Sequence, residues 1–145
     1  RASGDNITAM LSLEMLGYYT DAPNSQKYPA PLSSFYPTTG NFIAFVSNYD
    51  NRALVKQCVR AFRAGAQFPS EGAALPNFIR DVGRSDHFGF GKEGFPALMV
   101  TDTANFRNPN YHSATDTPDT LDYNSMARVV EGLEQVLKSL AANRS

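Results

Sequence analysis

The sequence predicts an α/β fold, a mostly parallel or mixed sheet with helices on both faces. Three observations carry that expectation. Strand-length runs are apolar throughout rather than alternating, as in strands buried on both sides. Segments whose apolar residues recur at three- and four-residue spacing follow them, the mark of helices laid on a sheet. The 145 residues are 42% hydrophobic and 19% charged, a balance that suits one globular domain with a modest core.

The elements follow in chain order. Residues 1–6 (RASGDN) begin without an initiator Met, as where a leader is removed or the chain starts inside something larger. Residues 7–14 (ITAMLSLE) read as a buried strand. Residues 17–40, rich in Tyr, Pro, Ser and Asn, read as a loop. It is longer than the roughly 12–15 residues usual for structureless connections, which points to a functional role. Residues 41–47 (NFIAFVS) predict a second strand. Asp50 or Asn51 can cap a helix to Ala66, its stripe formed by Leu54, Val55, Cys58, Val59 and Phe62. Residues 83–94 surround a short helix begun by Ser85 or Asp86. Residues 96–101 (PALMVT) form a third strand, with proline tolerable at its first position. Residues 105–121 are again a long loop. The last helix carries one stripe, Met126, Val129, Val130, Leu133, Val136, Leu137 and Leu140, with Thr120 or Asp122 as its cap.

Composition removes several functions. Thirteen Lys and Arg against fourteen Asp and Glu leave a net charge of −1, too little to hold a nucleic acid through its phosphates. No apolar run approaches the roughly 20 residues of a membrane span. One cysteine, Cys58, excludes an internal disulfide and a cysteine-based zinc finger. Two histidines, His87 and His112, cannot supply a site of three imidazoles.

In α/β sheets ligands bind beyond the carboxyl ends of strands. Glu14 ends the first strand, and Asp102 ends the third, just before the loop with His112. Glu14, set in LSLEMLGYY, is either a metal ligand or a strand-end carboxylate that caps a turn or faces solvent. His112 is either a zinc ligand with a carboxylate on its other nitrogen or a surface residue. Asp116, Asp119 and Asp122 suit turns and caps. Arg84-Ser85-Asp86-His87 is no serine triad, because adjacent residues seldom face one another as a triad requires; Ser-Asp there starts a helix. No phosphate loop is present. Cys58, on a helical stripe, belongs to the core. Phe88, Phe90 and Phe106 are either pocket-lining or core residues.

Four motifs in order, Leu13-Glu14-Met15-Leu16-Gly17-Tyr18, Gly83-Arg84-Ser85-Asp86-His87, Pro96-Ala97-Leu98-Met99-Val100-Thr101-Asp102, and Tyr111-His112 with Asp116-Thr117-Pro118-Asp119, resemble the zinc aminopeptidases of peptidase family M28. The resemblance implies a hydrolase-like zinc exopeptidase architecture acting on peptides. In that family two zinc ions are held by a His, a bridging Asp, a Glu, a further acidic residue and a last His, with a separate Glu as general base. By resemblance Glu14 takes the further acidic position, where many members have Asp. His112 matches the last histidine, on the other zinc. Tyr111 matches an oxyanion donor, and Arg84 and Asp86 match a motif near bound substrate. The first His, the bridging Asp and the Glu-Glu pair have no counterparts here. Residues 1–145 are thus expected to be the carboxyl-terminal portion of such a domain, inactive without the amino-terminal half. Two rivals are a one-zinc glutaminyl cyclase of the same fold, whose tryptophans this chain lacks, and a non-catalytic binding module.

Overall fold

The computed structural model describes residues 6–142; the remaining residues, 1–5 and 143–145, lie outside it. Among the described residues four strands form one mixed sheet: β1 (Met10–Glu14), β2 (Ile43–Asn48), β3 (Ser70–Leu75) and β4 (Ala97–Thr101), in the order β1-β4-β2-β3. β1 runs parallel to β4 and β2 parallel to β3, while β4 and β2 are antiparallel. The direction of β2 is therefore opposite to that of β1. The loop over residues 17–40 thus leaves β1 and enters β2 at the same end of the sheet, which lets it stand over that end as a wall.

Register sorts side chains into two faces. Leu11, Leu98, Val100 and Phe45 share one face by cross-strand pairing. There they meet α1 (Arg52–Gly65) and α3 (Tyr123–Ala142) in the core formed with Val55, Cys58, Phe62, Val129, Leu133 and Val136. Phe45 meets Phe62 edge-on, with ring centroids 5.4 Å apart. Burial pushes the Cys58 thiol up to about 12, so it stays protonated and serves as packing. The other face carries Ser12, Glu14, Met99, Thr101, Ala44 and Val46. A short helix, α2 (His87–Lys92), packs at that side against β1 and β4.

Three elements differ from expectation. β3 (SEGAAL) was not legible, because it holds one large apolar residue and no β-branched one; pairing with β2 makes it a strand. Asn51 holds the N-cap position of α1, but its side chain makes no cap hydrogen bond, and Asp50 lies one residue earlier. Residues Tyr49–Asn51 form a single tight turn whose N-cap is Asn48, accepting from the Asn51 N–H at 3.3 Å. The Asn51 side chain instead accepts from the Ala97 N–H at the start of β4. In α3 the expected stripe is wider than the buried one: Val130 and Leu137 are more than half exposed. The cap there is Asp122, which accepts from the Ser125 N–H and hydroxyl at 3.0 and 2.6 Å.

β1 pairs with β4 alone among the described residues, so its other edge is open. Leu13 lies on the helical face of that edge, as its pairing with Val100 shows, and is 55% exposed. Met126 of α3 touches Gly17 just beyond β1. Val130 and Leu137 lie on the same side of α3 as Met126 by the helical repeat, so the exposed apolar residues share one flank.

Gly132 lets α3 approach α1. A Cβ there would stand 2.8 Å from Ala66 Cβ and closer still to the Phe62 ring. Gly132→Ala is expected to lower stability, measured as the urea midpoint, because overpacking costs ~1–3 kcal/mol and outweighs the ~1 kcal/mol of helix propensity gained. His87 gives a second test. It is 4% exposed and donates from Nε2 to the Val82 carbonyl at 2.7 Å, since a carbonyl only accepts. Burial holds its pKa below the ordinary 6.5. The unfolded chain binds this proton more readily, so stability rises with pH until about 6.5 and levels above it. His87→Asn should flatten that slope in a pH series of urea melts.

Candidate functional site

A cleft of about 390 Å³ opens on the sheet face opposite α1 and α3. Its floor is built from Ala44, Val46, Ala73, Met99 and Thr101, its far wall from Leu32 and Tyr36 of the long loop, and its mouth from the carboxyl ends of β1 and β4. Glu14, Arg84, Tyr111 and His112 all line it. Asp86 does not; it is exposed and immediately precedes α2, where its carbonyl accepts from the Gly89 N–H. Of the three phenylalanines considered, Phe106 lines the cleft, whereas Phe88 and Phe90 are partly exposed residues of α2 that do not. His87 is also absent from it.

Glu14 is half-buried, and its carboxylate is held rather than free to swing. Ser85 donates to Oε1 at 2.6 Å. Ser12 lies 3.0 Å from the same oxygen and 2.5 Å from the Ser85 hydroxyl. The two hydroxyls occupy one oxygen, and Oε2 makes no hydrogen bond among the described residues. The carboxylate is thus held through one oxygen and keeps the other without a partner among the described residues. Sequence reading placed Ser85 as a helix starter and left Ser12 unremarked. Ser12 could have been found, since a residue two before Glu14 on a strand shares its face. Ser85, 71 positions away, had no local signal.

His112 is exposed at the tip of a built turn, in the left-handed region with φ of 56°. Ordinary side chains occupy that region rarely, and where they do the surroundings hold them. Here Asn108, buried, accepts from the Asn110 N–H at 2.8 Å and donates to Asp116 at 3.3 Å. The Ser113 N–H donates to the Asn110 carbonyl at 3.0 Å. Tyr111 stacks on the His112 ring, with centroids 3.9 Å apart and planes inclined by 13°. The stack fixes both rings on one side of the cleft. Asp116 is accordingly a turn residue.

The loops bearing these groups are joined beneath by a buried polar network. Asp102 accepts from the backbone N–H groups of Gly17, Tyr18 and Ala104 at 3.1, 2.8 and 3.0 Å. Its own N–H donates to the Met15 carbonyl at 2.7 Å. Burial raises its pKa, against the lowering effect of these donors and of Arg107. Arg107, also buried, donates to Gln26 at 2.8 Å and to the carbonyls of Phe42 and Tyr18 at 2.8 and 3.3 Å. Burial lowers its pKa to about 10, so it stays charged at neutral pH. Its guanidinium lies 4.5 Å from the Phe42 ring centre, a cation–π contact. From sequence Asp102 was legible only as the residue that ends a strand, and Gln26 and Arg107 were not singled out, because their partners are distant in the chain or lie in irregular loop.

No group of three or more His, Cys, Asp or Glu side chains able to hold a metal ion occurs among the described residues. Glu14 and His112 are chemically suited donors on one cleft, a carboxylate and an imidazole, but two donors do not make a closed site. No helix among the described residues is long and apolar enough to cross a membrane.

Comparisons with known proteins place the chain in a family. The chain is 40% identical over 132 residues to the uncharacterized protein YfbL of Escherichia coli (strain K12), covering 90% of this chain and 41% of that one. It is 45% identical over 148 residues to a probable leucine aminopeptidase of Arthroderma otae, covering 99% of this chain and 34% of the relative. The chain therefore spans less than half the length of either. Among solved structures, the LapA aminopeptidase of Legionella pneumophila superposes with a TM-score of 0.68 at 19% identity, over 95% of this chain and 32% of that one; this shows the shared fold. The family model of peptidase family M28 matches residues 1–137, and the chain belongs to that family.

Proposed function

We propose that this chain forms one side of the active site of a zinc-dependent aminopeptidase, with Glu14 and His112 as ligands to different ions of a zinc pair. The observation that carries the reading is the convergence of a clamped carboxylate and a turn-tip imidazole on one apolar cleft at the carboxyl ends of β1 and β4. When bound, a zinc pair lowers the pKa of a shared water and polarises a scissile carbonyl. The chain's own residues do the rest on this side. Ser85 and Ser12 hold Glu14 through Oε1 and leave Oε2 without a partner among the described residues. Tyr111, pinned by its stack on His112, supplies a hydroxyl donor where negative charge develops on the carbonyl oxygen. The apolar floor receives the side chain of the substrate's first residue.

The remaining ligands and the general base come, in this proposal, from the amino-terminal half of the same domain, packed against β1. Three features support that: the open edge of β1 beside exposed Leu13, Val130 and Leu137, the lack of a three-donor group among the described residues, and the relatives' greater length.

His112→Ala in the protein that includes the rest of the domain is expected to remove about one zinc equivalent and nearly all turnover of aminoacyl-nitroanilides. Unchanged zinc content and rate would sink the assignment. Ser85→Ala should weaken zinc binding by about tenfold to a hundredfold, the usual cost of losing a group that orients a ligand, read by competition with a chelating dye. The 145 residues alone should show negligible hydrolysis at any zinc concentration.

A further inference from the structure

One cleft residue has no part in that reading. Glu71 lies on β3, at the far side of the sheet from Glu14, and lines the same cleft. Register fixes its place. Glu14 pairs with Thr101, Thr101 with Ala44, and Ala44 with Glu71, so the four residues form one row across the sheet with their side chains on one face. Three inter-strand steps separate the two carboxylates, about 14 Å between backbones. Between them the row offers only Thr101 and Ala44, and the adjacent row offers Met99, Val46 and Ala73. The cleft is a trench with an apolar floor and a carboxylate at each end.

Among the described residues no cation is paired with Glu71. Its carboxylate makes no hydrogen bond or ion pair among the described residues. The nearby phenols, Tyr28 and Tyr36, donate instead to the carbonyls of Pro37 and Gly72; burial chiefly, and the charge of Glu71 in addition, raises their pKa values. The two cations that line the cleft, Lys27 and Arg84, are exposed side chains. An apolar ligand filling the trench would strip water from Glu71 and return nothing, whereas a buried carboxylate is stabilised by a cation brought to it.

We propose that Glu71 is a specificity-determining residue that selects substrates whose first residue is lysine or arginine. This rests on the aminopeptidase reading, because it takes the Glu14 end of the trench as the place of the scissile bond. The stem of such a side chain, roughly three or four methylenes, lies along the apolar floor. Its ammonium or guanidinium meets Glu71 in a charge-assisted hydrogen bond. Norleucine fills the same floor and lacks the cation.

The test uses the zinc-loaded protein with the rest of the domain. kcat/KM is measured for lysyl-, arginyl- and norleucyl-nitroanilide with the natural sequence and with Glu71→Gln, which keeps size and removes charge. The natural protein should favour lysyl over norleucyl substrate by roughly tenfold or more, as a hydrogen bond to a charged group warrants. Glu71→Gln should abolish that preference by lowering the lysyl and arginyl rates, while the norleucyl rate stays level or rises as the unpaired charge is removed from the trench. An unchanged preference in Glu71→Gln, or a natural preference for norleucine, overturns the proposal while leaving the aminopeptidase reading intact. A second measurement needs no turnover: ligand-observed NMR of n-pentylammonium and 1-pentanol with the metal-free protein. Binding of the ammonium that Glu71→Gln removes supports the trench even where no nitroanilide is cleaved, a result that would fail the aminopeptidase reading alone. Equal binding of both probes to both proteins overturns it.

Discussion

The arrangement depends on one buried carboxylate. Asp102 gathers three backbone N–H groups from the segments that leave β1 and β4, and its own N–H closes the group against Met15. Two parallel strands that end side by side give no reason for their following loops to diverge at fixed angles. Asp102 provides it: the chain after β1 is bound at Gly17 and Tyr18, and the chain after β4 is bent at once through Thr103 and Ala104, both with positive φ. Glu14 stands three residues before the first of these anchor points. The turn bearing His112 begins with Asn108, whose N–H donates to Ala104 at 2.8 Å. A carboxylate buried for this purpose is costly unless its oxygens are filled, and here they are. Asp102 thereby positions the cleft without lining it.

Arg107 carries the same logic outward. It joins Gln26, Phe42 and Tyr18, so the long tyrosine-rich loop is fastened at its start, its middle and its end. A loop of that length whose regular structure is one turn of 3-10 helix, Leu32–Ser34, would ordinarily be loose. Fastened at three places, it becomes a wall, and the apolar residues Leu32 and Tyr36 that it carries can face the cleft at a low cost in entropy. The Tyr19 phenol, pushed well upward chiefly by burial, belongs to the same packed layer.

What could be read from sequence was what depends on near neighbours. Apolar runs located β1, β2 and β4, and three- and four-residue spacing located α1 and α3, because burial of a face leaves a period in the chain. Asp122 was legible as a cap for the same reason. β3 was not, since SEGAAL takes its strand geometry from the hydrogen bonds of β2 rather than from its own side chains. The sign of each strand pairing was equally hidden. A mixed sheet and a mostly parallel one can be written with identical apolar runs. Glu14, Arg84, Tyr111 and His112 were found as separate suspects and do meet on one cleft. Asp86 stood beside Arg84 in sequence, but the start of α2 turns the two apart. Ser85 and Glu71 acquire meaning only from distant partners, one through a contact with Glu14 and the other through a row of the sheet.

The open edge of β1 has a bearing on how this molecule behaves apart from any chemistry. A strand with one row of backbone groups unpaired is a template, and five residues ending in an exposed leucine flank do little to disguise it. No proline interrupts β1, no lysine points outward from it, and its single charge, Glu14, is turned into the cleft. Handled alone, the 145 residues would tend to find that edge a neighbour, another copy of β1 included. The hazard has a natural remedy in timing. If the strand that belongs there precedes this segment during synthesis, β1 emerges beside a partner already made, and the edge exists only as a moment in assembly.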